Sequence, residues 1–403
     1  MLRFTKWFIV VALLSISVPF TFAQDDAVDA APACVAEYEA TTEYFADQAE
    51  FTFAEGVTVT YYNNYKVVEV LNAYFDAPIF TYVLVQCGTP APQADDFPDD
   101  TWFIEVPVQN IVTLSTTQLP HLVDLDVLDS LVAVDSGFYI YNETIQALIA
   151  DGVVGEVGGG DFTIDLEAVI DIDPDLVFAT GSSPETDAHP VLMDAGVFTA
   201  LNGEHREATP LGRAEWLKFT ALFFNKEAEA NALFDTIANE YAELVELAST
   251  IPDEDRITVL LNAFSGWTDA WSIPGSETYA GVFLVDANAI TILHEETEGG
   301  TDSVLFDFET IYDAGLDADV WLTNAYGVNT LDDLLAQDER YADFAAFQNG
   351  TVYNNIGRVN ANGGSDYYEG AVTAPQVVLA DLVAILYPDL LPEHELVYWI
   401  PLD

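Results

Sequence analysis

Between Lys226 and Ser249 the chain runs without a glycine or a proline. Its apolar positions Leu233, Phe234, Ile237, Tyr241, Leu244, Val245 and Ala248 recur at spacings of three and four. That period predicts one long helix over 226–250, ended by Pro252. On both sides of it the pattern is strand, helix, strand. The stretch therefore reads as a stiff join between two α/β lobes, over 105–225 and 251–403, and not as a flexible linker.

In the first lobe, Ile111-Val112-Thr113-Leu114 is a buried-type strand, and 119–131 fits a helix with Pro120 in its first turn. Val132-Ala133-Val134 fits a strand, 166–172 a short helix and Leu176-Val177-Phe178-Ala179 a parallel strand. In the second lobe, Ile257-Thr258-Val259-Leu260-Leu261, Val320-Trp321-Leu322 and Val352-Tyr353 continue the same grammar. One unit recurs: Ile164-Asp165-Leu166-Glu167 leads to Asp175-Leu176-Val177-Phe178, and Phe306-Asp307-Phe308-Glu309 leads to Asp319-Val320-Trp321-Leu322. The expected fold is α/β, with two similar lobes of mostly parallel sheet.

Residues 24–104 form a β-rich extension and linker. Phe51-Thr52-Phe53, 57–61, 65–70 and 80–85 have β-branched and aromatic strand character, with a turn at Asn63-Asn64 and a stop at Gly88. The chain has only two cysteines, Cys34 and Cys87, and in an exported protein an even pair predicts one disulfide. On the chain-entropy model such a loop closure is worth roughly 4 kcal/mol.

Export is expected from the first 23 residues. Arg3 and Lys6 precede an apolar run from Phe8 to Phe20, and Thr21-Phe22-Ala23 suits cleavage before Gln24. Loss of Arg3 and Lys6 would leave eight basic residues against 68 acidic ones, a net charge of −60. A surface of that sign is a poor partner for nucleic acid or anionic membranes. Hydrophobic residues at 51% argue for a packed protein in spite of the charge.

The order of several motifs resembles the class III periplasmic binding proteins for iron siderophores and cobalamin. They are Ile164-Asp165-Leu166-Glu167 with Asp173-Pro174-Asp175-Leu176-Val177, Thr209-Pro210-Leu211-Gly212-Arg213-Ala214-Glu215-Trp216, the long helix, and Gly364-Ser365-Asp366-Tyr367-Tyr368-Glu369. The resemblance covers 105–402. It implies a monomer that captures a metal chelate, a siderophore or corrinoid, between its lobes and delivers it to an ABC permease. No cofactor is expected. One surface glutamate per lobe would meet permease arginines, and Glu167 and Glu309 hold the matching places; both also suit the start of a helix capped by Asp165 or Asp307.

Candidate ligand contacts are aromatic residues and scarce arginines. Trp267 and Trp271 follow the first strand of lobe two, where α/β sheets bind ligands. Phe138, Tyr139 and Tyr141 would face them from lobe one. Arg213, beside Trp216, and Arg358, near Asp366 and Tyr367, could grip anionic oxygens or sit in internal ion pairs. His294-Glu295-Glu296 lacks a second histidine for a zinc helix, and Asp171, Asp173 and Asp175 lack the glycine of a calcium loop. No nucleophile elbow or phosphate loop occurs. The rival readings are an exported hydrolase or metal-dependent enzyme, or a sensory binding protein.

Overall fold

The computed structural model describes residues 34–160 and 163–403. The leader and its cleavage after Ala23 lie outside the described residues. The extension is a four-stranded sheet of β1 (Val57–Tyr61), β2 (Tyr65–Val70), β3 (Phe80–Gln86) and β4 (Trp102–Val106), in that order. The first three strands are antiparallel, and β4 returns parallel to β3. Alternation in β2 turns Lys66, Val68 and Val70 inward. Cys34 and Cys87 are disulfide-bonded, pinning the start of the described chain to the end of β3.

Two sequence expectations fail here. Phe51–Phe53 is not a strand, because the amides of Thr52, Phe53 and Ala54 all donate to one carboxylate oxygen of Glu215, at 2.9, 2.7 and 2.8 Å. The chain wraps around that carboxylate and has no ladder to join. Residues 105–106, read as the start of lobe one, still belong to β4 of the appended sheet.

Lobe one holds a parallel sheet of β5 (Ile111–Thr113), β6 (Leu131–Val134), β7 (Gly155–Glu156), β8 (Leu176–Thr180) and β9 (Thr199–Asn202), ordered β7-β6-β5-β8-β9. Its helices are α1 (Leu119–Asp124), α2 (Glu143–Ala150), α3 (Leu166–Ile172), α4 (His189–Asp194) and α5 (Pro210–Leu222). The helix expected over 119–131 stops at Asp124, since Asp126 takes φ 55°, a left-handed conformation that a helix cannot continue through. The linking helix is α6 (Glu227–Ala248).

Lobe two repeats the plan with β10 (Thr258–Leu261), β11 (Phe264–Ser265), β12 (Ala270–Ile273), β13 (Ile290–Thr291), β14 (Val304–Phe306), β15 (Val320–Thr323), β16 (Val352–Asn354) and β17 (Ile400–Pro401). The main sheet runs β13-β10-β15-β16-β17, parallel except for β17; β11, β12 and β14 form a small antiparallel sheet. The helices are α7 (Tyr279–Asp286), α8 (His294–Thr297), α9 (Phe308–Gly315), α10 (Leu331–Leu335), α11 (Ala345–Asn349) and α12 (Pro375–Leu386). The expected fold class is therefore the observed one: two α/β lobes, a long joining helix and an N-terminal β-rich sheet. No helix among the described residues is long and apolar enough to cross a membrane.

Two of the scarce lysines lie inside. The Lys66 ammonium, fully buried, donates to the Leu222 carbonyl at 2.6 Å, the Asn225 Oδ1 at 2.9 Å and the Glu227 carboxylate at 2.6 Å. It ties the appended sheet to the first residue of α6. Lys218 pairs with Glu215 at 2.8 Å beneath the 50–54 segment. Glu207 adds a third anchor, accepting from the amides of Glu55 and Gly56 and from the Trp216 indole. Buried charges of this kind are tolerable only when fully partnered.

Candidate ligand cleft

In parallel sheets the loops beyond the carboxyl ends are the free ends, and ligands settle where neighbouring loops diverge. Both lobes have a cavity there. The lobe-one cavity, about 350 Å³, is walled by Ser115 and Thr116 after β5, Asp135 and Ser136 after β6, and Ser182 and Asp187 after β8. The lobe-two cavity, about 250 Å³, is walled by Asn262 after β10, Asn324 after β15 and Asn355 after β16, with Tyr279, Tyr367 and Arg213. Asn262 reaches its place through a left-handed backbone, φ 59°, a conformation that asparagine tolerates better than most residues.

Arg213 projects from α5 of lobe one into the lobe-two cavity. Its guanidinium pairs with the buried Glu204 and lies 4.9 Å from the Tyr279 ring centre. Burial works against its charge, but Glu204 outweighs that and holds its pKa above the ordinary value. Glu204 is opposed in the same way: burial pushes its carboxyl up, and Arg213 more than reverses the shift. The Thr117 hydroxyl also bonds to Glu204. The cation thus stays charged at the edge of an aromatic cavity.

The lobes touch along a seam beside these cavities. Glu369 accepts hydrogen bonds from the amides of Tyr141 at 2.7 Å and Asn142 at 2.9 Å, just ahead of α2. The Asn360 amide donates to the Ile140 carbonyl at 2.8 Å, and the Thr373 hydroxyl donates to Asp124 at 2.8 Å. Gly364 packs so closely on the Tyr139 carbonyl that no side chain would fit there. Arg358 pairs with Asp366 at 2.9 Å and lies 5.2 Å from the Tyr141 ring centre. Burial pushes the Glu369 carboxyl up to about 7, against the two amide hydrogen bonds and with help from the charge of Asp366.

The candidate residues therefore separate. Tyr139 lines the lobe-one cavity, and Arg213 and Tyr367 line the lobe-two cavity. Tyr141, Arg358 and Asp366 belong to the seam. Trp216 is a correction: it is fully buried in lobe one against Phe219 and donates its N–H to Glu207 at 2.8 Å. Trp271 is another, enclosed by Trp321, Phe308, Tyr341 and Phe344 with its indole donating to the Leu261 carbonyl. Neither presents a surface that a ligand could reach. Trp267, 96% exposed, sits in the turn between β11 and β12 and lines neither cavity. Glu369, Tyr279 and the polar residues after each strand escaped the sequence reading. The strand ends were the available signal, since the residues that follow a parallel strand are the ones that face a ligand.

Glu167 and Glu309 are both exposed, each the second residue of a short helix, α3 and α9. Asp165 caps α3 by accepting from the Ala168 amide at 3.0 Å, and Asp307 caps α9 by accepting from Thr310 at 2.7 Å. Glu309 lies 3.8 Å from Arg340, an exposed pair that solvent screens.

Residues 111–355, more than half of the chain, match the family model of periplasmic binding proteins. The chain belongs to that family. Periplasmic binding proteins are non-enzymatic solute-binding components of transport, and this chain is one of them. An uncharacterized lipoprotein of Methanocaldococcus jannaschii is 24% identical over 84% of this chain and 81% of its own length. Among solved structures, a possible iron-binding (periplasmic solute-binding) protein of Staphylococcus epidermidis superposes with a TM-score of 0.53 at 15% identity, over 70% of this chain and 99% of that one. An ABC-type Fe3+-hydroxamate transport protein of Saccharomonospora viridis superposes with a TM-score of 0.50 at 18% identity, over 70% and 94%. At these identities the structural likeness is one of fold.

Proposed function

We propose that this periplasmic binding protein is exported and captures a metal chelate of siderophore or corrinoid type between its lobes, delivering it to an ABC permease. The observation that carries the ligand class is the lobe-two cavity, where the Arg213 guanidinium meets the tyrosines Tyr279 and Tyr367. A guanidinium suits the anionic oxygens of a chelate, and aromatic faces suit its flat organic shell. The hydroxyl-rich cavity of lobe one would hold the opposite side through neutral hydrogen bonds. The iron-binding and hydroxamate-transport descriptions of the structural neighbours favour the same class.

Glu167 and Glu309 are proposed as the two docking points. One exposed carboxylate per lobe would let a permease read lobe closure, because their separation changes as the lobes move. Charge of this kind steers docking more than it adds affinity. The test has two parts. Titration with a ferric trihydroxamate and with cyanocobalamin should show saturable binding of at least one, weakened by roughly 1–3 kcal/mol in Tyr367→Ala. Glu167→Arg and Glu309→Arg should keep that binding and lose uptake through the importer. Full uptake by both variants removes the docking role, and no binding of either probe removes the ligand class.

A further inference from the structure

The appended sheet reaches the ligand region through one loop. The β2–β3 connection, 71–79, lies across the carboxyl ends of β8 and β9. A Cβ at Gly181, one residue after β8, would come within 2.9 Å of both the Ala73 carbonyl oxygen and the Tyr74 ring. A Cβ at Gly203, one residue after β9, would meet the Asn72 carbonyl at 3.3 Å. This loop occupies the space that a side chain at either glycine would need.

Tyr74 carries the contact further in. Its ring stacks on His189 with centroids 5.6 Å apart, and Phe80 meets the same imidazole edge-on at 6.3 Å. The buried His189 Nδ1 lies 3.5 Å from the Asp187 carboxylate. Asp187 in turn accepts from the amides of Ser182 at 2.6 Å and Ser183 at 2.8 Å. Those bonds shape the segment whose Ser182, Asp187 and Ala188 wall the lobe-one cavity. A continuous set of contacts thus runs from the extension to the cavity wall.

We propose that the 71–79 loop is a specificity element of the ligand site: Tyr74 positions the Asp187 wall through His189. The proposal rests on the reading that the lobe-one cavity takes part in ligand capture. Tyr74 is a positioning residue, since it reaches the cavity only through His189. The polar groups of the wall come from lobe one, and their placement comes in part from the extension. A chain with the same lobes and a different 71–79 loop would then select a different ligand.

Two variants of the full chain test this. Tyr74→Ala removes the ring, and Gly181→Ala forces the loop away from the lobe-one side, so the failure of either to fold leaves the other. In ligand-free protein both should speed amide hydrogen exchange across 182–188 roughly three- to tenfold, the range an aromatic contact commands. Exchange in β10 should not change. The His189 ring, held below its usual pKa by burial although Asp187 opposes this, should titrate higher by proton NMR in Tyr74→Ala. Both variants should also alter the ratio of affinities for a ferric trihydroxamate, hemin and cyanocobalamin by about three- to tenfold. Unchanged exchange across 182–188 in both folded variants overturns the positioning claim. An unchanged affinity ratio in both folded variants overturns the specificity claim. If wild-type protein binds none of the three probes, the ligand class fails by itself, and the exchange measurement still decides whether the loop holds the wall.

Discussion

Replacing Lys66 by methionine should destabilise the protein by about 3–5 kcal/mol. Methionine keeps the aliphatic stem in the space between the sheet and α5, so little packing is lost. What is lost is the ammonium, which is fully buried and donates to three acceptors at 2.6–2.9 Å. Its removal leaves the Glu227 carboxylate, itself 3% exposed, with the Tyr61 hydroxyl at 3.4 Å as its one partner among the described residues. It also orphans the Leu222 carbonyl at the end of α5. An uncompensated buried charge dominates the cost, so Lys66→Met with Glu227→Gln should recover much of the loss, giving a coupling of about 2 kcal/mol or more. Urea denaturation with the disulfide intact, on both single variants and the double, measures this. A loss below about 1 kcal/mol in Lys66→Met, or strict additivity in the double, would refute the claim that this pair binds the extension to the linking helix.

Four further outcomes are expected. Trp271→Ala should cost about 3–5 kcal/mol in urea unfolding, as for a large core side chain, whereas Trp267→Ala should be nearly neutral. Replacing both Cys34 and Cys87 by serine should cost roughly 4 kcal/mol for a separation of 53 residues, measured against the oxidised protein. Burial pushes His121 down to about 4, with Glu204 opposing and Arg213 assisting; its contribution is present above about 6.5 and lost as pH falls toward 4, at up to about 1.4 kcal/mol per pH unit. Urea midpoints from pH 7 to 4.5 should therefore fall less steeply in His121→Gln. Glu369 has the opposite sign: its pKa is raised to about 7 in the closed seam, so its support for closure is fullest below the usual carboxylate range and lost as pH rises through 7. Spin labels placed on the two lobes should report a longer separation at pH 8 than at pH 5, a difference absent in Glu369→Gln.

The elements that the sequence disclosed are those whose signal is local. The 3–4 spacing of Leu233, Phe234, Ile237 and Tyr241 marks α6, and β-branched runs mark β5, β8 and β15. The Asp165–Glu167 and Asp307–Glu309 pairs were legible because an N-cap and the residue two beyond it are adjacent in the chain. The misses have long-range causes. Phe51–Phe53 looks like a strand, but its conformation is set by Glu215, more than 160 residues away. Trp216 and Trp271 have the composition of a ligand wall, and only the packing of Phe219 or Trp321 against them assigns them to cores. Arg213 was read both as a grip and as an internal pair; the structure shows the pair with Glu204 and sets the guanidinium on the wall of the lobe-two cavity. Glu369 carries no local mark: its role arises from two amides of the other lobe.

A binding protein of this kind captures its ligand without chemistry. Native mass spectrometry of the protein purified from its own host tests this most directly, read before and after the chain is denatured. One metal chelate per chain is expected, released with its mass unchanged on denaturation and taken up again by the refolded apoprotein. A chelate recovered in hydrolysed or otherwise altered form after incubation with the apoprotein, or a chain that carries and rebinds none, would contradict it.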